Sequence, residues 1–329
     1  MREPLDRREW LKRTGLAAAA AALLPAVPRR AAAQPEAAGS GAAAGAARRA
    51  LRFAHLTDIH VQPERRAAEG MAACLRHVQA MPDPPGLIVT GGDLVMDVFE
   101  QPFDRTRALW DLFTSTLRAE CSIPVKHCLG NHDIWGWHKS RSRTDGTEKG
   151  WGKAWACEAL GMARPWHAFD RAGWHFIVLD SVAPRGDGYI GRIGEEQMAW
   201  LEADLAATPR STPIVVVSHI PIISVCAIMN GNKGTDPPAV KDSLVVTDAI
   251  PVHGLLARHG GVRLCLSGHI HRQDRVEYDG ITYICDGAVS GAWWKGPNGP
   301  CVEGFGVVDL MDDGTFRHRY ATYGWKAEP

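Results

Sequence analysis

The chain lacks most of the features by which a sequence declares a specialised class. None of its eight cysteines is spaced Cys-x-x-Cys with another, which argues against a zinc ribbon or a thioredoxin-like redox motif. Charge of neither sign dominates. The 37 basic residues face 37 acidic ones, so no electrostatic footprint for nucleic acid is visible and no stable nucleic-acid partner is expected. The apolar stretch "LAAAAAALLPAV" near the amino terminus is too short and too Ala-rich to span a bilayer comfortably, and no Cys follows it to carry a lipid. The glycines of "GSGAAAG" follow no strand, and "GNKGT" has its Lys before Gly, so neither is a nucleotide loop. Disorder is excluded as well, because 45% of the 329 residues are hydrophobic and can bury a sizeable core.

What the chain does have begins at its amino terminus. "DRREWLKRTG" places Arg7 and Arg8 ahead of Trp10, Leu11 and Lys12. The modest apolar core follows, and "RRAAAQPE" offers a small-x-small cleavage site ending near Ala33. The order resembles the twin-arginine signal of the bacterial route that exports folded proteins. A basic amphipathic helix or a membrane anchor is the alternative. The resemblance implies the twin-arginine export machinery as a partner, a periplasmic or secreted product, and no membrane anchor after processing. Residues 1–33 therefore read as a signal, 34–50 as an Ala/Gly-rich tether, and 51–329 as one domain. The signal carries seven basic and three acidic residues, which leaves the remainder mildly acidic.

From Leu51 a rhythm sets in. The apolar runs "LRFAHLTDIH", "GLIVTGGD", "PVKHCLGNHD", "WHFIVLDS", "TPIVVVSHIP" and "VRLCLSGHIH" suit strands covered on both faces. Helical stripes lie between them: Met71, Cys74, Leu75 and Val78; Trp110, Phe113 and Leu117; Met198, Leu201 and Leu205. Strand and helix alternation predicts an α/β fold. The tail differs, since "RVEYDGITYICDGA" and "GFGVVDLMDDGTFRHRYATY" alternate around Asp-Gly and predict antiparallel strands at a sheet edge. Ligands of open α/β sheets collect at the carboxyl ends of strands, and five of the six runs end there with metal-capable side chains.

Taken singly these ends are ambiguous. Asp58-x-His60 reads as a helix cap before a surface histidine, Gly91-Gly92-Asp93 as a turn, and His219 as a satisfied core histidine. His269-x-His271 places two imidazoles on one side of a strand. In this order, however, "TDIH", "GGD", "GNHD", "VVSHIP" and "SGHIH" resemble the calcineurin-like metallophosphoesterases, nearest to the subgroup of cyclic nucleotide and glycerophosphodiester phosphodiesterases. The resemblance implies a β-sandwich of two mixed sheets flanked by helices. It implies two divalent or mixed-valence ions (Mn, Fe, Zn or Co), one held by Asp58, His60 and His271 and the other by Asn131, His219 and His269, with Asp93 bridging. It implies His132 as the proton donor to the leaving oxygen. Asp133 either orients His132 or serves the turn. Two ions about 3.5–4 Å apart share a hydroxide and neutralise phosphoryl charge. Met96 stands where purple acid phosphatases carry a tyrosine, and the Gly-Asp-x-x-Asp-Arg-Gly of protein phosphatases is missing, so both subgroups are disfavoured.

The stretch between Ile134 and Trp166 is long for a connector and holds five tryptophans. Trp135 and His138 there, with Trp293 and Trp294 after a late strand, are candidates for contact with the substrate. The alternative is that the tryptophans pin a long loop to the domain. Other histidines, such as His55, His77, His167 and His175, read as structural. The expected activity is hydrolysis of a small-molecule phosphodiester by the bridging hydroxide, in line and without a covalent enzyme intermediate. A phosphomonoesterase or nucleotide pyrophosphatase on the same centre is the alternative. A non-catalytic scaffold is disfavoured, because His132 and every expected ligand are kept.

Overall fold

The computed structural model describes residues 47–229 and 239–328; the expected export signal, most of the expected tether and "GNKGT" lie outside the described residues. The first sheet contains β1 (Arg49–Leu56), β2 (Leu87–Thr90), β3 (Val125–Lys126), β12 (Gly304–Met311) and β13 (Phe316–Thr322), in the order β13-β12-β1-β2-β3. The second contains β4 (His167–Arg171), β5 (Trp174–Leu179), β8 (Ile214–Ser218), β9 (Val262–Ser267), β10 (Asp274–Tyr278) and β11 (Ile281–Cys285), in the order β10-β11-β9-β8-β5-β4. A separate hairpin pairs β6 (Val182–Arg185) with β7 (Gly188–Gly191). Both large sheets are mixed, with β1, β2 and β3 parallel, β5, β8, β9 and β11 parallel, and antiparallel strands outside them. The two tail hairpins, β10–β11 and β12–β13, end on sheet edges as their Asp-Gly turns predict.

Strand periodicity explains the layers. Phe53, Leu87 and Val89 of the first sheet share an apolar cluster with Phe176, Val178, Val215, Val217 and Leu264 of the second, so these residues fill the space between the sheets. The Phe53 and Phe176 rings meet edge to face across it, with centroids 5.5 Å apart. Their neighbours in sequence point the other way. Ala54 and Ile88 pack on Met71 and Leu75 of α1 (Ala67–Gln79) and on Trp110 and Phe113 of α2 (Phe103–Glu120). Ile177, Val216 and Cys265 pack on Leu201 and Leu205 of α5 (Glu195–Ala207) and on Val252 and Leu256 of α7 (Ala249–His259). Every central strand is therefore buried on both faces, which is why the runs are apolar throughout. The helix faces are those that the three stripes predict.

Two segments differ from the sequence reading. Of "PVKHCLGNHD" only Val125 and Lys126 form a strand, and Asn131–Asp133 close into a 3-10 turn. The stretch after Ile134 carries α3 (Lys139–Ser142) and α4 (Ala154–Leu160), and its tryptophans tie it down. Trp135 is buried, meets Trp155 edge to face at 5.0 Å, and donates from Nε1 to the Gln101 carbonyl at 2.9 Å. Trp151 Nε1 donates to the Gly136 carbonyl at 2.9 Å. A short helix, α6 (Val225–Met229), follows β8. Among the described residues no helix is long and apolar enough to cross a membrane.

At the far end of β5 the His175 ring lies between two carboxylates, Asp204 of α5 at 2.9 Å and Asp170 of β4 at 2.7 Å. The hydrogen bond to Asp204 raises its pKa, against burial and with help from Asp170. A histidine whose folded pKa is raised stabilises the protein fully below its unfolded pKa, near 6.5, and loses that contribution as pH rises through the folded value. The stability lost in His175→Gln, measured by urea unfolding, should thus be larger at pH 5.5 than at pH 9. An equal loss at both would remove the ion pairs from the account.

Candidate metal centre

Five chain segments deliver the cluster, and backbone hydrogen bonds fix how they meet. After β1, the N–H groups of Asp58 and His60 donate to the carbonyls of Gly92 and Asp93, at 3.0 and 2.9 Å. The loop after β2 is thereby joined to the loop after β1. The turn after β3 is set by Asp133, which is buried and accepts from three backbone donors: Leu94 at 2.8 Å, Val95 at 3.2 Å and Gly130 at 2.8 Å. Asp133 thus serves the turn, and its carboxylate makes no hydrogen bond to the His132 ring. Burial, followed by the nearby Asp93 charge, raises its pKa to about 7. Gly130 leaves no room for a side chain, since a Cβ there would collide with Asp93. A Cβ on Gly268 would collide with Thr57 and Asp58.

β9 ends at Ser267, so His269 and His271 do not share a strand face. They come together through a left-handed turn, with φ of 69° and 54°. Asp58, His60 and Asp93 are left-handed too, at 55°, 47° and 52°. Only a few per cent of non-glycine residues adopt this conformation.

The result is a compact group. Asp58, His60 and His271 each bring a ligand atom within 4.8 Å of the other two, and so do Asp93, His219 and His269. Asn131 Oδ1 lies 3.1 Å from His219 Nε2. Asp93 Oδ2 stands between the two groups, 3.2 Å from His219 Nε2 and 3.6 Å from His60 Nε2. Its other oxygen accepts the His132 backbone N–H at 2.8 Å.

Each of the four imidazoles of these two groups is oriented by a backbone carbonyl on its outer side. His60 Nδ1 faces the Met96 carbonyl at 3.3 Å, and His219 Nδ1 that of Gly91 at 2.8 Å. His271 Nδ1 faces the Gly291 carbonyl at 2.5 Å, and His269 Nε2 that of Ser243 at 2.8 Å. A carbonyl only accepts, so each outer nitrogen carries the proton and each inner nitrogen turns a lone pair inward. His60 Nε2 and His271 Nε2 then stand 3.0 Å apart, and His269 Nδ1 is 3.2 Å from His219 Nε2. Such pairs require a cation or a proton between them.

The electrostatics ask for positive charge. Burial opposes ionisation of Asp58 and Asp93, yet the histidines around them hold both carboxyls below their ordinary range. Burial pushes His60 down to about 3 and, with His219, His269 down to about 4. His219 is driven up to about 9 against burial by Asp93, and His271 is raised by Asp58. In each group one imidazole is thus biased toward its charged form by a neighbouring carboxylate. Nitrogen and oxygen donors without thiolate suit Mn, Fe, Zn or Co, and the residues present fit two such ions.

His132 lies at the margin of the cluster, with Nε2 4.0 Å from Asp93 Oδ2 and its ring edge to face with His60 at 4.7 Å. Its Nδ1 is buried without a hydrogen-bond partner, and Asp97 Oδ1 is 3.8 Å away. Of the substrate-contact candidates, only Trp293 sits on the cluster, 4.6 Å from the His271 ring and 6.0 Å from His60. Trp294 is buried with Nε1 on the His60 carbonyl at 3.0 Å, and Trp135 is buried as described. His138 faces Ser140 at 3.3 Å and makes no contact with the cluster. Sequence reasoning missed Tyr189 of β7, whose ring lies 6.2 Å from His269. It also missed Asp97 and the four orienting carbonyls, and carbonyls have no sequence signal.

A family model described as "Calcineurin-like phosphoesterase" matches residues 51–273. A Synechococcus protein named "Probable cyclic nucleotide phosphodiesterase" is 25% identical over 275 residues, covering 81% of this chain and 90% of its own. The 3′,5′-cyclic adenosine monophosphate phosphodiesterase of Escherichia coli is 22% identical over 240 residues, covering 70% and 73%. A structure titled as a dimetal phosphatase from Danio rerio superposes with a TM-score of 0.57 at 18% identity, covering 84% of this chain and 97% of that one, which bears on the fold.

Removing the Asp133 carboxylate isolates the turn's contribution. Asp133→Ala leaves three buried N–H groups without an acceptor, at about 1–3 kcal/mol each before relaxation. Asp133→Asn keeps one oxygen and should be less destabilised than Asp133→Ala. Urea midpoints will decide, and equal midpoints for both variants and the parent would refute the clamp.

Proposed function

Because the chain belongs to the calcineurin-like phosphoesterase family and is a phosphoric ester hydrolase, we propose that it cleaves small phosphodiesters, cyclic nucleotides included, at the cluster around Asp93. Asp58, His60 and His271 would hold one metal ion, and Asn131, His219 and His269 the second, with Asp93 between them. When bound, the ions supply an activated water and neutralise charge on the phosphoryl oxygens. The observation that carries this reading is the inward convergence of four carbonyl-oriented imidazoles on the Asp58 and Asp93 carboxylates.

The chain's own residues supply the rest. His132 turns Nε2 toward the cluster, so that atom is the one to protonate the departing alkoxide as the P–O bond breaks opposite the incoming oxygen. An alkyl ester expels an alkoxide of high basicity, for which a positioned acid matters most. Trp293 and Tyr189 flank opposite imidazole groups, His271 on one side and His269 on the other, and offer flat apolar walls to a base or ring alcohol. The diester assignment rests also on the named activities of the Synechococcus and Escherichia coli relatives.

Hydrolysis of bis(p-nitrophenyl) phosphate beside p-nitrophenyl phosphate, on protein stripped and refilled with Mn, Zn or Fe, tests the reading. The diester should be cleaved faster, and monoester preference would move the function to a phosphatase. His132→Ala should lower turnover of an alkyl diester such as 3′,5′-cyclic AMP by about 10²–10⁴-fold, with a smaller loss on the nitrophenolate diester, while metal content stays at the parent level. Loss of metal in that variant would overturn the proton-donor role.

A further inference from the structure

Away from the metal cluster, the edges of the two sheets come together. β3 is the last strand of the first sheet and β4 the last of the second. Between them lies a cleft of about 340 Å³, closed by the turn after α4 and lined by Lys126, His127, Arg164 and His167 among others. Its lining contains no Asp or Glu and none of the cluster residues.

Among the described residues, neither Lys126 nor Arg164 forms an ion pair or a side-chain hydrogen bond. Both are instead held by aromatic rings. Lys126 Nζ sits 5.2 Å over Phe169, and the Arg164 guanidinium lies 5.3 Å over Trp200 and 5.6 Å over Trp166. Those rings orient the charges without neutralising them. His167 stacks on Phe169 at 6.1 Å and makes no hydrogen bond, and His127 uses only Nδ1, 3.3 Å from Thr90 Oγ1. Burial, with the neighbouring cations, pushes both imidazoles down to about 4. Two of the terminal carbonyls of α4, those of Glu158 and Cys157, are occupied by the N–H groups of Gly161 and Met162.

We propose that this inter-sheet cleft is a second, non-catalytic site for a phosphate group, held by Lys126, Arg164, His127 and His167. The donors are charged or polar and line one concave space without a side-chain acid. A tetrahedral oxyanion has enough oxygens to accept from an ammonium, a guanidinium and an imidazole together. The assignment is independent of which ester the metal cluster hydrolyses.

Equilibrium dialysis of radiolabelled inorganic phosphate against the metal-loaded full chain tests it, with chloride matching ionic strength. The parent should bind one phosphate more per chain than Lys126→Gln/Arg164→Gln, with diester turnover measured without phosphate unchanged. Lys126→Gln alone guards against loss of the Arg164 stack, and should weaken the extra phosphate by about fivefold or more. Equal stoichiometry and affinity in all three proteins, or an extra phosphate displaced by matched chloride, would overturn the site.

Discussion

Asp58 and Asp93 are both buried, and among the described residues neither has a lysine or arginine beside it. Their counter-charges come only from imidazoles, which are cationic only when they carry a second proton or, in effect, when they share a metal. Leaving either carboxylate uncompensated would cost several kcal/mol. The loops after β1, β2, β3, β8 and β9 all converge on this demand, and the backbone bonds between them hold the geometry that meets it. Gly130 and Gly268 approach so closely because the carboxylates are there.

The sandwich makes that arrangement possible. Its central strands are parallel and buried on both faces, so their carboxyl ends open at the same side and their loops need not span a polar surface. Helices cover the outer faces, and the apolar contacts between the sheets, with Phe53 against Phe176, hold the loop platforms in fixed relation. The outer boundaries are different in character. Where β3 and β4 end the two sheets, aromatic rings orient cations that no acid neutralises among the described residues.

Much of this was legible in the residues. Apolar runs ending in Asp, Asn or His marked the strands and the cluster together, because strand burial and loop chemistry are both written in side chains. The helix stripes around Met71, Trp110 and Leu201 likewise have a period that only one packing satisfies. What could not be read were relations carried by backbone. His269-x-His271 looks like a strand pair because alternation is the simplest reading of its spacing, yet a left-handed turn achieves the same convergence. Asp133 looked as suited to orienting His132 as to a turn, and only the positions of three N–H groups decide it. Trp135 and Trp294 stood open between substrate contact and packing, because sequence proximity does not say which side of a loop a ring occupies. Tyr189 sat in a hairpin with no motif around it.

The left-handed residues at Asp58, His60, Asp93, His269 and His271 bear on how such a cluster can vary. Aspartate, asparagine and histidine are the non-glycine side chains most at ease in that conformation, since each is short or planar beyond Cβ and unbranched there. Glutamate and cysteine also bind metals, but they lack that enrichment. The main chain therefore acts as a first filter on ligand chemistry, before any ion arrives. In this molecule the choice of nitrogen and carboxylate donors is as much a property of the turns as of the element they would hold.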